Sequence, residues 1–154
     1  VLSSLHTNDA PTAVTRLLDL NVPPYLLNST LLGVMAQRLV RTLCAHCKEA
    51  HLALPEIVEQ MRLDRFTAAK EITLYRPMGC AQCAHTGYTG RISIMEMLPI
   101  SDPMRSLVMK HGTASDLRNE AIREGMLTMY EDGLRKAVRG ITTLEEVLRV
   151  TRES

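Results

Sequence analysis

The chain has 154 residues, 45% of them apolar and 23% charged, enough to bury one moderate core or two small ones. Its 18 basic and 17 acidic side chains leave a net charge of +1, and aromatics make up 3%, so the totals supply neither the basic field nor the stacking platforms of a nucleic-acid binder. The longest apolar stretches are broken by Asn28, Ser29, Gln37 and Arg38, short of the ~20 apolar residues that a membrane span requires.

Taken in order, Val1, Leu2, Ser3, Ser4 and Leu5 read as a buried strand entered partway through a domain. The absence of a starting methionine fits a piece excised from a longer protein. Residues 1–9 lack the basic flank, long apolar stretch and cleavage site of a signal peptide. Asp9 is placed to cap a helix with Pro11 in its first turn and Ala13, Val14, Leu17 and Leu18 on its buried stripe, ending near Asn21. Pro23 and Pro24 then reset the chain. Leu27, Leu31, Met35, Leu39 and Leu43 follow at steps of four, which predicts a long helix over 27–43 with Gln37, Arg38 and Arg41 on its polar face. Residues 55–63 read as a short helix, 72–76 as a strand and 91–98 as another strand after a Gly87–Gly90 turn. The last third is punctuated as four short helices: Asp102 and Pro103 to Gly112, Thr113 and Asp116 to Gly125, Thr128 and Glu131 to Gly140, and Thr142 with Glu145 onward.

The four cysteines form two C-x-x-C knuckles, Cys44–Cys47 and Cys80–Cys83. Two residues between thiolates let one turn aim both sulfurs at one ion, and a second such turn closes a tetrahedron. A redox dithiol needs no matching pair, so the doubling points to a metal, zinc by its preference for thiolates, in a ribbon-like lobe. Reduced thiols of this kind fit a reducing cytoplasm. His46, His51 and His85 stand near the knuckles, but four cysteines already complete the shell and leave no open position, so the zinc is expected to be structural. Backbone N–H donors, with Lys48 or Arg91, are expected to soften the thiolate charge.

Several segments now agree in order: Leu5-His6-Thr7-Asn8-Asp9-Ala10-Pro11, Gly33-Val34-Met35-Ala36-Gln37-Arg38-Leu39-Val40-Arg41, the paired knuckles, and Gly140-Ile141-Thr142-Thr143-Leu144-Glu145-Glu146-Val147. In these the chain resembles the C-terminal part of the hexameric ATPases of type II secretion and type IV pilus assembly, and the tetracysteine lobe resembles the assembly type of motor. The resemblance implies an α+β, mostly helical chain: the end of a RecA-like P-loop ATPase core over 1–43, an inserted tetracysteine zinc lobe, ribbon-like, over 44–100, and a helical subdomain over 101–154. It further implies a cytoplasmic motor that binds ATP and Mg²⁺, works as a homohexameric ring, and meets platform proteins at the inner membrane.

The sequence contains no G-x-x-x-x-G-K-[ST], so the phosphate cradle is absent and the 154 residues alone are not expected to hydrolyse ATP; the resemblance places half of each ring contact upstream, so alone they are expected to be largely monomeric. His6 by itself reads either as a histidine capping a strand end or as a phosphate-side group; the resemblance assigns it to the histidine box near the terminal phosphate. Arg38 and Arg41 read either as a solvated face or as contacts to nucleotide or a neighbouring subunit. A different class of function, a free-standing zinc-ribbon adaptor for another protein, is also compatible with the knuckles and with the nine methionines.

Overall fold

The computed structural model describes residues 1–152. The architecture is α+β, and the chain divides into two compact units, each built from two separate stretches: 1–37 with 95–129, and 38–94 with 130–154.

In the first unit Asp9 accepts the Thr12 N–H at 2.8 Å and starts α1 (Ala10–Asp19), as its sequence predicts. Asn21 takes the left-handed conformation just past the helix, and the Val22 and Asn21 N–H groups return to the Leu17 and Leu18 carbonyls. This is a Schellman stop with asparagine in the place glycine usually holds. The short α2 (Pro24–Thr30) follows. Later in the chain α4 (Asp102–Met109), capped by Ser101, and α5 (Ala114–Arg123), closed by the Thr113–Asp116 capping box, complete the helices. Ala10, Val14, Leu27, Leu98, Met104, Val108 and Leu117 make the shared core. The left-handed residue after α4 is His111 and not the expected Gly112, whose N–H instead closes onto the Leu107 carbonyl.

Two sequence expectations fail here. Residues 1–5 form no strand, and Val1 and Leu2 are fully exposed, because a strand needs a ladder partner and none pairs with them among the described residues. The helix expected over 27–43 ends at Thr30, and residues 33–43 are instead the strand β1 (Gly33–Leu43). Steps of four are also steps of two, so a run of leucines at that spacing fits one face of a strand as well as a helix. Alternation settles it: Val34, Ala36 and Val40 turn inward while Met35, Gln37, Leu39 and Arg41 turn out. The partner is β4 (Tyr88–Pro99), and the bonds from Ile100 N–H to the Leu32 carbonyl and from Cys44 N–H to the Gly87 carbonyl, at opposite ends of the ladder, make the pair antiparallel.

In the second unit β2 (Glu49–Leu52) pairs antiparallel with β3 (Thr73–Arg76), placing Glu49 opposite Arg76, where the two side chains form an ion pair at 2.9 Å. Helix α3 (Pro55–Met61) and a short 3-10 turn, Leu63–Phe66, lie between them in sequence. With α6 (Met129–Val138) and α7 (Leu144–Thr151) they surround a core of Leu63, Ile72, Leu74, Leu134 and Val147. Gly133 lies inside α6 because a Cβ there would stand 2.5 Å from a methyl of Val147. The cap of α7 is Thr143, which accepts the Glu146 N–H at 3.2 Å; the expected Thr142–Glu145 pair is one residue out of register. Thr142 uses its hydroxyl to donate to the Arg41 carbonyl at 2.8 Å.

Candidate metal centre and flanking residues

The first knuckle hangs off the end of a strand, not off the helix that the leucine spacing predicts. Cys44 continues the β1 ladder, and the Cys47 and Lys48 N–H groups fold back to its carbonyl. The second knuckle is a tight turn in which the Cys83 and His85 N–H groups both reach the Cys80 carbonyl. Gly87 follows at φ +78, where a Cβ would lie 2.3 Å from the Pro77 side chain, so only glycine brings its amide this close to the sulfurs.

All four Sγ atoms lie within 4.8 Å of one another, with Cys44–Cys80 at 3.9 Å and Cys47–Cys83 and Cys80–Cys83 at 3.8 Å. A regular tetrahedron with ~2.3 Å metal–sulfur bonds has edges of about 3.8 Å, so the donor set fits a tetrahedral metal ion. None of the spacings is a disulfide, and all four cysteines are free. The surrounding amides fit the same purpose. Gly79 N–H points at the Cys47 sulfur, and Cys80 and Gly87 N–H point at the Cys83 sulfur, each at 3.2 Å.

These donors show in the acidity of the thiols. Burial works against the Cys83 thiolate, but the Cys80 and Gly87 amides bring its pKa down to about 6. Cys44 is also lowered, by the Thr89 hydroxyl and the His46 amide. Burial and the neighbouring sulfurs push Cys47 up to about 11 against the pull of the Gly79 amide. Burial and the neighbouring sulfurs thus oppose the Cys47 thiolate, a cost that a divalent cation bound by the sulfurs would offset.

The metal-competent group contains no histidine among the described residues, and His46 and His85 are exposed. Lys48, expected near the thiolates, instead donates to the Gly140 carbonyl at 2.7 Å and lies 4.7 Å from the centre of the Tyr75 ring. Arg91 is exposed.

The structure distributes the remaining predicted residues. His6 is exposed in the irregular segment before α1, in the first unit, while the cysteines belong to the second. Arg38 and Arg41 sit on a strand, not on a helix face. Arg38 donates to the Val150 carbonyl, and Arg41 pairs with Glu146 at 2.7 Å while its guanidinium lies 4.1 Å over the Tyr88 ring. Buried carboxylates escaped the sequence reading, Glu146 and Glu96 among them. Glu146 takes the Arg41 N–H and both Arg41 and Arg149 side chains. Glu96 takes the N–H groups of Ala10 and Met129. The signal for Glu96 was its parity: it shares the strand face of Ile94 and Leu98, where a charge is out of place. No helix among the described residues is long and apolar enough to cross a membrane.

Comparison with known proteins places this geometry in a family. The family model for "Type II/IV secretion system protein" matches residues 1–149. The chain is 50% identical, over its whole length, to the type II secretion system protein E of Xanthomonas campestris pv. campestris, of which it spans 27%. It is 47% identical over its whole length to the type II secretion system ATPase E of Vibrio cholerae, spanning 30% of it. It is 44% identical, over 99% of its length, to the type IV pilus assembly ATPase PilB of Thermus thermophilus, spanning 17% of it. With a family match over nearly every residue and relatives at this identity, the chain belongs to the type II/IV secretion system protein family.

Proposed function

We propose that this chain works as part of an ATP-hydrolysing motor for type II secretion or type IV pilus assembly, in which it supplies a structural zinc lobe and a phosphate-side histidine. The observation that carries the reading is the match over residues 1–149 together with relatives named as ATPases at 44% and 47% identity. Its sequence holds no phosphate loop, so in this reading hydrolysis requires a nucleotide cradle outside these 154 residues, of the RecA-like kind that the family resemblance implies. ATP bound with Mg²⁺ would supply the phosphoryl group that passes to water, and the Mg²⁺ would offset charge on the phosphate oxygens. His6, exposed and free of the helix, donates a hydrogen bond to charge developing on the terminal phosphate side. Arg38 and Arg41 are engaged with Val150 and Glu146, which supports a role in holding α7 over direct nucleotide contact.

The metal in this reading is Zn²⁺. The donor set is four thiols at tetrahedral spacing, with amide donors and no vacant position for water or substrate, which favours a structural over a catalytic ion. The whole motor is proposed to be a homohexameric ring in the cytoplasm, meeting platform proteins at the inner membrane face.

The test is ATP hydrolysis by the natural longer protein carrying this sequence, with and without His6→Ala, at matched zinc content. A steep loss of turnover in the folded variant supports the reading. No turnover by folded, metal-loaded wild type, even with its membrane partner, overturns it in favour of a zinc-ribbon adaptor.

A further inference from the structure

We infer that Glu96 is a positioning residue for His6, acting through the first residue of α1. The inference rests on the phosphate-side role of His6 proposed above. His6 lies in a segment without regular secondary structure, so the precision of its imidazole depends on where that segment is anchored. Asp9 and Ala10 both anchor it. Asp9 accepts the Thr12 N–H and pairs with Arg118, and the Ala10 N–H donates to Glu96 Oε1 at 2.7 Å. Thr7 adds a weaker local contact, its hydroxyl 3.3 Å from the Asp9 carbonyl.

Glu96 is 2% exposed on an inward position of β4, with Ile94 and Leu98 buried on either side. Its second oxygen takes the Met129 N–H at 3.0 Å, so one carboxylate is the shared acceptor for the first amides of α1 and α6. Helix N-termini carry partial positive charge, and an acceptor placed between two of them is held from both sides. A glutamine at this site keeps one acceptor oxygen but turns an NH₂ group toward an N–H donor, so one of the two amides must move away. Arg118 backs the same segment from α5 through Asp9 and is itself partly exposed, which makes it a second handle with less risk to folding.

The test is steady-state ATP hydrolysis in the natural longer protein as a double-mutant cycle: Glu96→Gln, His6→Ala and both together, with Arg118→Gln as the companion variant. A displacement of a reacting group by about 1 Å costs on the order of 100-fold, so Glu96→Gln is expected to lower kcat by about 10- to 100-fold, with KM for ATP within about twofold. On the His6→Ala background the same substitution should have almost no further effect, because the side chain it positions is gone. Arg118→Gln should show the same non-additivity with a smaller loss. Unchanged kcat in Glu96→Gln overturns the inference, as does an equal further loss in the double variant, which would mark Glu96 as merely structural. If Glu96→Gln does not fold, Arg118→Gln decides by the same two criteria. Full turnover by His6→Ala overturns the histidine's role itself, and the positioning role with it, and is distinguishable because it needs no Glu96 variant.

Discussion

Arg41 and Glu146, 105 positions apart in sequence, meet twice: the Arg41 N–H lies 2.9 Å from one carboxylate oxygen and its guanidinium 2.7 Å from the other. Glu146 is 2% exposed and also receives Arg149, so two arginines and a backbone amide hold one buried carboxylate on α7 against β1. Thr142, Thr143 and Arg38 complete the same seam, through the Arg41 carbonyl, the Tyr88 hydroxyl and the Val150 carbonyl. Two sequence segments that stand far apart in the chain thus form one polar latch.

Removing the carboxylate while keeping the arginines should therefore cost more than an ordinary surface change. Glu146→Ala takes away the acceptor of the Arg41 amide and the carboxylate that the Arg41 and Arg149 guanidinium groups share. Because the arginines are half exposed, water takes up part of the loss, and we expect ~1–3 kcal/mol from urea unfolding. A change below ~0.5 kcal/mol would show the latch to be energetically idle.

The same carboxylate gives a pH signature. Burial raises the Glu146 pKa, but hydrogen bonds from Arg149 and Arg41 outweigh it and bring the value from an ordinary 4.5 to about 2. A pKa depressed on folding means that the folded state binds this proton less readily than the unfolded state. The contribution is then fully present above pH 4.5 and is lost as pH falls from 4.5 toward 2. Urea midpoints measured across that window should fall more steeply for wild type than for Glu146→Gln. Identical slopes would refute the assignment.

Metal removal should act locally. We expect about one zinc per chain by elemental analysis of protein never exposed to chelator, and almost none in Cys83→Ser. Hydrogen exchange after chelation should rise first in the amides of the two knuckles, including Gly79 and Gly87, while the Leu98, Met104 and Leu117 core stays protected. Cooperative loss of both regions together would contradict this.

Gly133→Ala offers a clean test of packing against propensity. Alanine is the better helix former by ~1 kcal/mol, yet its Cβ would sit 2.5 Å from a methyl of the fully buried Val147. The clash should win, with a net destabilisation of ~1–3 kcal/mol in urea unfolding. Val147→Ala in the same chain should recover part of it; additive losses would place the strain elsewhere.

What the sequence by itself determined was whatever depends on near neighbours. The paired C-x-x-C knuckles announced a candidate metal site because two residues between thiolates is a local geometric condition, and the structure brings all four sulfurs close enough to hold one ion. Asp9, Asn21, Thr113 and Gly125 act where the sequence places them because caps and left-handed stops act within one turn. Tertiary structure decided the rest. A leucine spacing of four suits both periods, so only the presence of β4 made 33–43 a strand, and with it moved Arg38 and Arg41 off any helix face. Adjacent threonines offered two registers for the α7 cap, and the Arg41 carbonyl took Thr142 and left Thr143 to the helix. Glu96 and Glu146 read in sequence as ordinary charges, because what makes a buried carboxylate tolerable is a set of donors that arrive from distant parts of the chain.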